Sequence, residues 1–227
     1  MKLQPKRSRR SHRGVIGVES AIVMIAFVIV AAALAFVVLN MGFSTTQTAK
    51  TTIISGLNEA SSSMQLAGKV IGSGDVSAGK LNATAFPIKI ASGGNVVNLD
   101  EATTTIKYLS NSITYDNIYK GTLTTTEYTS LSSAAAAATT AAYISVNPYL
   151  DAGWPAATGA FIYWPQQRNT NEILDQGETA VIAIVYKDGD RPVALDKIKA
   201  EIIVATGASL TVERQVPAIT TEVVDLG

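Results

Sequence analysis

The sequence predicts an α+β chain, a long N-terminal hydrophobic α-helix followed by an Ig-like antiparallel β-sandwich head. Three observations predict it. The run from Val15 to Phe43 carries one charged side chain, Glu19, and two other clearly polar ones, Ser20 and Asn40. Behind it, Ile53, Leu57, Ala60 and Met64 recur at helical spacing. From Ala85 onward the apolar period shifts towards two, in short Thr/Val/Ile/Tyr-rich runs separated by turn residues.

The first fourteen residues form a basic leader, with Lys2, Lys6, Arg7, Arg9, Arg10 and Arg13. Such a segment is drawn to an anionic cytoplasmic leaflet and stays inside by the positive-inside rule, so the chain that follows faces outward. Formal net charge is zero, with 18 basic and 18 acidic residues. Six of the basic residues are in the leader, so the body is acidic, which argues against nucleic-acid binding by the folded part.

Ser20 to Leu39 is 20 residues without a charge, enough to span a hydrocarbon core of roughly 30 Å. Three processing readings compete with a plain uncleaved anchor. A secretory signal would end at a small-x-small site such as Ala31-Ala32-Ala33 or Ala33-Leu34-Ala35, but the apolar run continues past both. A twin-arginine signal would use Arg9-Arg10, from which the run is separated. A class III, prepilin-like signal would be cut before the run, between Gly14 and Val15, with Arg13 and Gly14 on the cytoplasmic edge. Glycine there lets extended backbone enter a protease. Glu19 would then be the fifth residue of the new chain. It is costly in lipid unless it stays wet at the interface or pairs with the freed α-amino group of Val15.

Asn40, Gly42 and Ser44-Thr45-Thr46 soften the helix without ending it. Continued over residues 15–68, it would make a rod of ~80 Å. Its first half is apolar all round and must be buried on every side. In water only copies of the same helix can do that. At ~1.5 kcal/mol per large apolar side chain, the gross gain is on the order of tens of kcal/mol per subunit.

Arg13-Gly14-Val15-Ile16-Gly17-Val18-Glu19-Ser20-Ala21, with the Ala/Val/Ile/Phe run through Phe27 to Phe36, resembles the start of an archaeal flagellin (archaellin), a type IV pilin-like protein. The resemblance implies a secreted structural subunit of the archaeal flagellum (archaellum) filament, a swimming organelle. It implies Arg13, Gly14 and Val15 as the signal-peptide cleavage site of a prepilin-type membrane peptidase. Gly17, Glu19, Phe27 and Phe36 would belong to the assembly helix. The implied partners are copies of itself or related archaellins, a type IV pilus-like assembly ATPase and membrane platform, and the membrane before assembly. Val15 in place of the Phe common in bacterial type IV pilins gives no reason to expect N-methylation.

Gly68, Gly72, Ser73, Gly74 and Gly79 mark the end of the helix, which divides the chain into residues 1–14, 15–68 and 69–227. Asn82-Ala83-Thr84 is an N-glycosylation sequon just past this loop; a glycan there would shield a filament surface. Expected strands follow at 86–90, 96–99, 104–108, 112–115, 143–146, 161–164, 179–186, 197–205, 210–214 and 219–224. Thr179 to Tyr186 is apolar enough to be a central strand. Ala134 to Ala138 reads as either a helical turn or a mobile loop. About ten short strands suggest a β-sandwich. Lys107-Tyr108, Ser112 to Tyr119, Ile173 to Glu178 and Leu210 to Arg214 are similar to the archaellin head, and this favours archaellin over an adhesive pilin.

No catalytic constellation is present, and none is expected of this class. The chain has no cysteine, and its one histidine, His12, lies in the leader. No cofactor or metal is expected. Asp188 and Asp190, or Asp175 and Glu178, have carboxylates that a Ca²⁺ ion would accept, but turn chemistry explains both pairs. Trp154 and Trp164 near Tyr149 and Tyr163 suggest either a carbohydrate platform or core and interface anchors. An archaeal adhesive pilin and a membrane-anchored extracellular binding protein are the alternative readings.

Overall fold

The computed structural model describes residues 13–61, 64–150 and 153–227. Residues 1–12, and with them most of the basic leader, lie outside the described residues. The chain divides into two compact units near residue 54, a helical one and a β-rich one.

The helix α1 spans Arg13–Ser61, 49 residues, about 73 Å at 1.5 Å per residue. It runs unbroken through the Ser/Thr cluster. The hydroxyls of Thr45, Thr46, Thr48, Thr51 and Thr52 each donate to the carbonyl four residues back, at 2.8–3.0 Å. These bonds compensate the weak helix propensity of threonine by giving its hydroxyl a local partner. The helix ends at Ser61, seven residues before the expected boundary. Met64–Leu66 is already a strand, β1. Met64 continues the helical spacing of Ile53, Leu57 and Ala60, yet it pairs with Ile90 and is buried in the sandwich. Sheet pairing overrides local periodicity here.

The glycine-rich stretch is also a strand. β2 (Ile71–Asp75) pairs antiparallel with β3 (Lys80–Ile90). Gly72 and Gly74 are needed for close approach. A Cβ on Gly72 would sit 2.9 Å from Leu81 Cδ2, and one on Gly74 would sit 2.7 Å from both Ile219 Cγ2 and the Thr221 carbonyl oxygen. The remaining strands are β4 (Val97–Asn98), β5 (Thr105–Ser110), β6 (Thr114–Tyr115), β7 (Tyr119–Leu123), β8 (Gly159–Gln166), β9 (Ile173–Leu174), β10 (Thr179–Val185), β11 (Lys197–Ile203), β12 (Leu210–Gln215) and β13 (Val223–Asp225).

A large sheet has the order β13-β2-β3-β10-β8-β7, with β1 beside β3, and a smaller one has the order β12-β11-β5-β6. Their facing side chains make one core: Phe86 and Ile88 of β3, Ile162 and Trp164 of β8, Ile182 and Ile184 of β10 meet Ile106 and Tyr108 of β5 and Ile198 and Ile202 of β11. The short β4–β9 ribbon adds Val97 and Leu174 to that core. The sandwich expected from the sequence is present.

A third layer was not expected. The helix α2 (Leu131–Thr140) covers the outer face of the large sheet, so the alanine run is helical. Ser130 caps it, its Oγ accepting from the Ser133 N–H. Ala134, Ala135 and Ala138 are fully buried against Ala83, Phe161, Ala183 and Val185. Alanines let the helix axis come close to the sheet. The central position of Thr179 to Val185 follows: β10 lies between β3 and β8, and its alternate residues feed both cores.

α2 belongs to the connection between β7 and β8, the one parallel pair among the named strands. A parallel pair needs a crossover of this kind, whereas a hairpin suffices for antiparallel neighbours. Tyr143 to Val146, an expected strand, is instead the wrap that ends α2. Tyr143 and Ile144 N–H groups both donate to the Ala138 carbonyl, and Ala142 sits at φ 61°.

Candidate assembly surface and head clusters

Every described side chain of α1 from residue 17 to residue 57 is exposed. Nineteen large apolar residues between Val18 and Leu57 are 44–73% exposed, among them Phe27 and Phe36. They point all round the helix, as the sequence requires. Residues 17–57 are long and apolar enough to cross a membrane by length and composition, with a mean hydropathy of 3.3 in the most apolar window.

Gly17 and Gly42 have nothing within 4 Å of where a Cβ would stand. A glycine inside a helix costs roughly 1 kcal/mol relative to alanine, and among the described residues no close packing offsets that cost. Glu19 is exposed near the start of α1. Arg13, Gly14 and Val15 stand in the first turn of α1, with side chains outside those described. The self-bonded hydroxyls mean that Thr45, Thr46, Thr48, Thr51 and Thr52 can be buried without leaving their side-chain donors unsatisfied.

In the head, the sequon stands just past the β2–β3 turn. Asn82 lies inside β3, and its Oδ1 accepts from Arg191 Nη2 at 2.7 Å. Thr84 is fully buried and shares a 2.8 Å hydrogen bond with the Tyr186 hydroxyl. The reason is Arg191, whose role the sequence did not reveal. Its buried guanidinium reaches Asp75 at 2.8 Å and Asp188 at 3.2 Å, and its Cζ lies 3.8 Å from the Trp154 ring centroid. It thereby ties the β2–β3 turn to the loop after β10 and to the segment before β8. Hydrogen bonds from the Ser77 hydroxyl, from Arg191 and from the Ala78 N–H hold the Asp75 carboxyl well below the ordinary carboxylate range. The Arg-Pro step after an Asp-Gly-Asp turn was the one available signal for this cluster.

The same contacts engage the carboxylate pairs considered for Ca²⁺. Asp188 holds Arg191, while Asp190 Oδ2 accepts from the hydroxyls of Tyr115 at 2.8 Å and Thr158 at 2.6 Å. Glu178 is buried and accepts from the N–H groups of Arg168 and Asp175 at 2.7 and 3.0 Å, and Asp175 accepts from Asn169 at 2.7 Å. These are turn clamps. Among the described residues no group of three His, Cys, Asp or Glu side chains has metal-site geometry. The aromatics do not form one platform: Tyr149 and Tyr163 stay together beside the α2 layer, and the two tryptophans are elsewhere. Trp164 is in the sandwich core, Tyr163 is under the α2 layer, and Trp154 stacks on Arg191.

Comparison with known proteins agrees with this two-part design. A family model of archaeal-type flagellin matches residues 14–214. Probable flagellin 1 of Aeropyrum pernix is 35% identical over 217 residues, covering 92% of this chain and 94% of the relative. Probable flagellin 1 of Archaeoglobus fulgidus is 35% identical over 100 residues, covering 44% of this chain and 49% of the relative. Among solved structures, the archaeal flagellum of Methanospirillum hungatei has a TM-score of 0.62 at 24% identity, covering 93% of this chain and 99% of that one. Flagellin FlaB1 of Methanocaldococcus jannaschii has a TM-score of 0.58 at 16% identity, covering 73% and 96%. At these identities the structural likenesses establish the fold.

Proposed function

The chain belongs to the archaeal-type flagellin family, and from that premise we infer how it works as a filament subunit. It is a structural protein of the archaeal flagellum that polymerises for swimming motility. The observation that carries the mechanism is the α1 surface, a helix of about 73 Å whose large apolar side chains are exposed on every face.

Before assembly, lipid covers that surface. In the filament, the α1 helices of neighbouring copies, or of related archaellins, cover it instead, and the head faces outward. Removal of residues 1–14 by a prepilin-type membrane peptidase frees Val15 and leaves the whole apolar helix on the mature chain. A type IV pilus-like ATPase and its membrane platform extract it from the bilayer, since transfer from one apolar environment to another needs a push but little desolvation. Gly17 and Gly42, which have no steric reason within the chain, are places where a second helix can approach closely. Glu19 then sits near the new N-terminus, within reach of an α-amino group on its own or a neighbouring copy. Any glycan on Asn82 is installed before β3 pairs, because folding places Asn82 against Arg191 and the Thr84 hydroxyl against Tyr186.

The test is the N-terminus of the polypeptide in sheared extracellular filaments, read by mass spectrometry. A chain starting at Val15 is the expected result. A start after Ala33 or Ala35 would remove the core helix and overturn the mechanism. So would intact chain found in the membrane fraction and absent from filaments.

A further inference from the structure

Two features of the head serve no purpose in an isolated copy. The first is Leu195. It has φ 72°, a left-handed conformation that suits Gly, Asn or Asp and that a branched apolar residue rarely adopts. The turn is locked in place. The Leu195 N–H donates to the Val216 carbonyl at 2.7 Å, its carbonyl accepts from Gln215 Nε2 at 3.2 Å, and Asp196 closes the turn by accepting from the Val193 N–H at 3.0 Å. The product of this strain is a leucine side chain 73% exposed to water. Backbone strain that presents an apolar side chain to solvent points to a partner.

The second is a groove of 270 Å³ on the outer face of the large sheet, lined by Ile71, Ala85, Leu131, Tyr149, Tyr163 and Val223. It exists because α2 shields the sheet over β8 and β10 but stops short of the β2–β13 edge. Ile71 and Val223 stay open there at 43% and 69% exposure. Glu222 stands on its rim.

We propose that adjacent heads in the filament are joined by these two features, the Leu195 turn of one copy seated in the α2/β2–β13 groove of the next. The proposal rests on the filament role above. A head cannot fill its own groove. The Leu195 turn is bonded to the end of β12, in the small sheet, and the groove opens on the opposite face of the large sheet. A knob and a socket on different faces of one chain make a head-to-tail contact, the kind that yields an open helical series when its rotation does not close into a ring, as a filament requires. Charge agrees with the match: the Asp196 carboxylate is held by the Val193 N–H and by Asn111, exposed Lys197 stands two residues past Leu195, and exposed Glu222 borders the groove.

The chain has no cysteine, so the contact can be read directly. Filaments carrying both Leu195→Cys and Val223→Cys are sheared and oxidised with copper phenanthroline. The two thiols lose two protons and pass two electrons to the oxidant as the S–S bond forms. The expected result is a ladder of covalent oligomers on a non-reducing gel, absent from either single variant and collapsed by thiol. Filaments of the double variant that stay monomeric after oxidation overturn the proposal and leave the filament role standing. Failure of the unaltered chain to occur in filaments overturns the filament role itself. Leu195→Asn suits the positive φ and removes the knob, and so keeps the proposal testable if the double variant does not assemble. Its filaments are expected to dissociate several degrees lower, with unchanged near-ultraviolet circular dichroism of the head. An unchanged dissociation temperature overturns the contact.

Discussion

Gly74→Ala isolates one structural statement, that the glycine-rich stretch after α1 is a strand packed beneath the C-terminal segment. The new methyl carbon would lie 2.7 Å from the Thr221 carbonyl oxygen, 2.7 Å from Ile219 Cγ2 and 3.0 Å from Val224 Cγ2. Side chains can rotate away, but the Thr221 carbonyl cannot, so the segment leading into β13 must shift. Overpacking of this kind costs ~1–3 kcal/mol, and with a backbone atom involved the upper half of that range applies. Loss of glycine freedom in the unfolded chain returns ~0.4–1 kcal/mol. The net destabilisation is about 1–2.6 kcal/mol. For a unit of this size each kcal/mol moves the melting temperature by ~2–4 °C, so a drop of about 2–10 °C is expected. Both tryptophans and all eight tyrosines are in the head, so near-ultraviolet circular dichroism of the full chain in detergent, read at about 280–300 nm where phenylalanine does not contribute, follows head unfolding. Gly42→Ala is the control. Its Cβ meets nothing within 4 Å, and head melting is expected to be unchanged. A Gly74→Ala head that melts with or above the unaltered one would refute the packing argument.

Three further outcomes are expected. Arg191→Met leaves Asp75 facing a partly buried site without its partner and removes the Trp154 stack; a loss of about 3 kcal/mol in urea unfolding is expected, near the lower end for a broken buried pair because Asp188 remains hydrated. Arg191→Lys recovers only part of it, since an ammonium cannot reach Asp75, Asp188 and Asn82 together. The depressed Asp75 carboxyl contributes stability that is fully present above the unfolded value of about 3.9 and is lost as pH falls towards its lower folded value. Urea midpoints of the unaltered chain therefore fall below about pH 4, and Asp75→Asn flattens that slope; parallel profiles would sink the assignment. Phe27→Lys places an ammonium on the all-apolar α1 surface, so filaments are expected to be lost while the head's circular dichroism stays unchanged.

How much of this was legible in the sequence depended on how local each signal was. The α1 run was plain because solvent-independent apolarity over 20 residues has few explanations. The β10 strand was plain for a related reason: Thr179 to Val185 is buried on both faces, and continuous apolarity records that. β2 was hidden because Gly72 and Gly74 are strand residues selected by close approach, Gly72 of Leu81 across the hairpin and Gly74 of Ile219 and Val224, which are distant in sequence. β1 was hidden because Met64 happens to continue a helical stripe. The sequon at Asn82 read as a surface feature because the partner that draws its side chain inward, Arg191, lies 109 residues away.

The sequence by itself determined that the chain has a helix with more apolar surface than a single copy hides, a body without cysteine or histidine, and a sandwich made of short strands. Apolar periodicity and composition are enough for that, since each follows from what a segment must hide from water. The tertiary structure alone decided where α1 gives way to sheet and that α2 adds a third layer across a parallel crossover. It also decided that Asp75, Asn82, Asp188 and Trp154 converge on one guanidinium, and that Leu195 is held out in water by a strained turn. Those facts depend on which distant residues meet. Pairing and packing energies set that, and no window of sequence contains them.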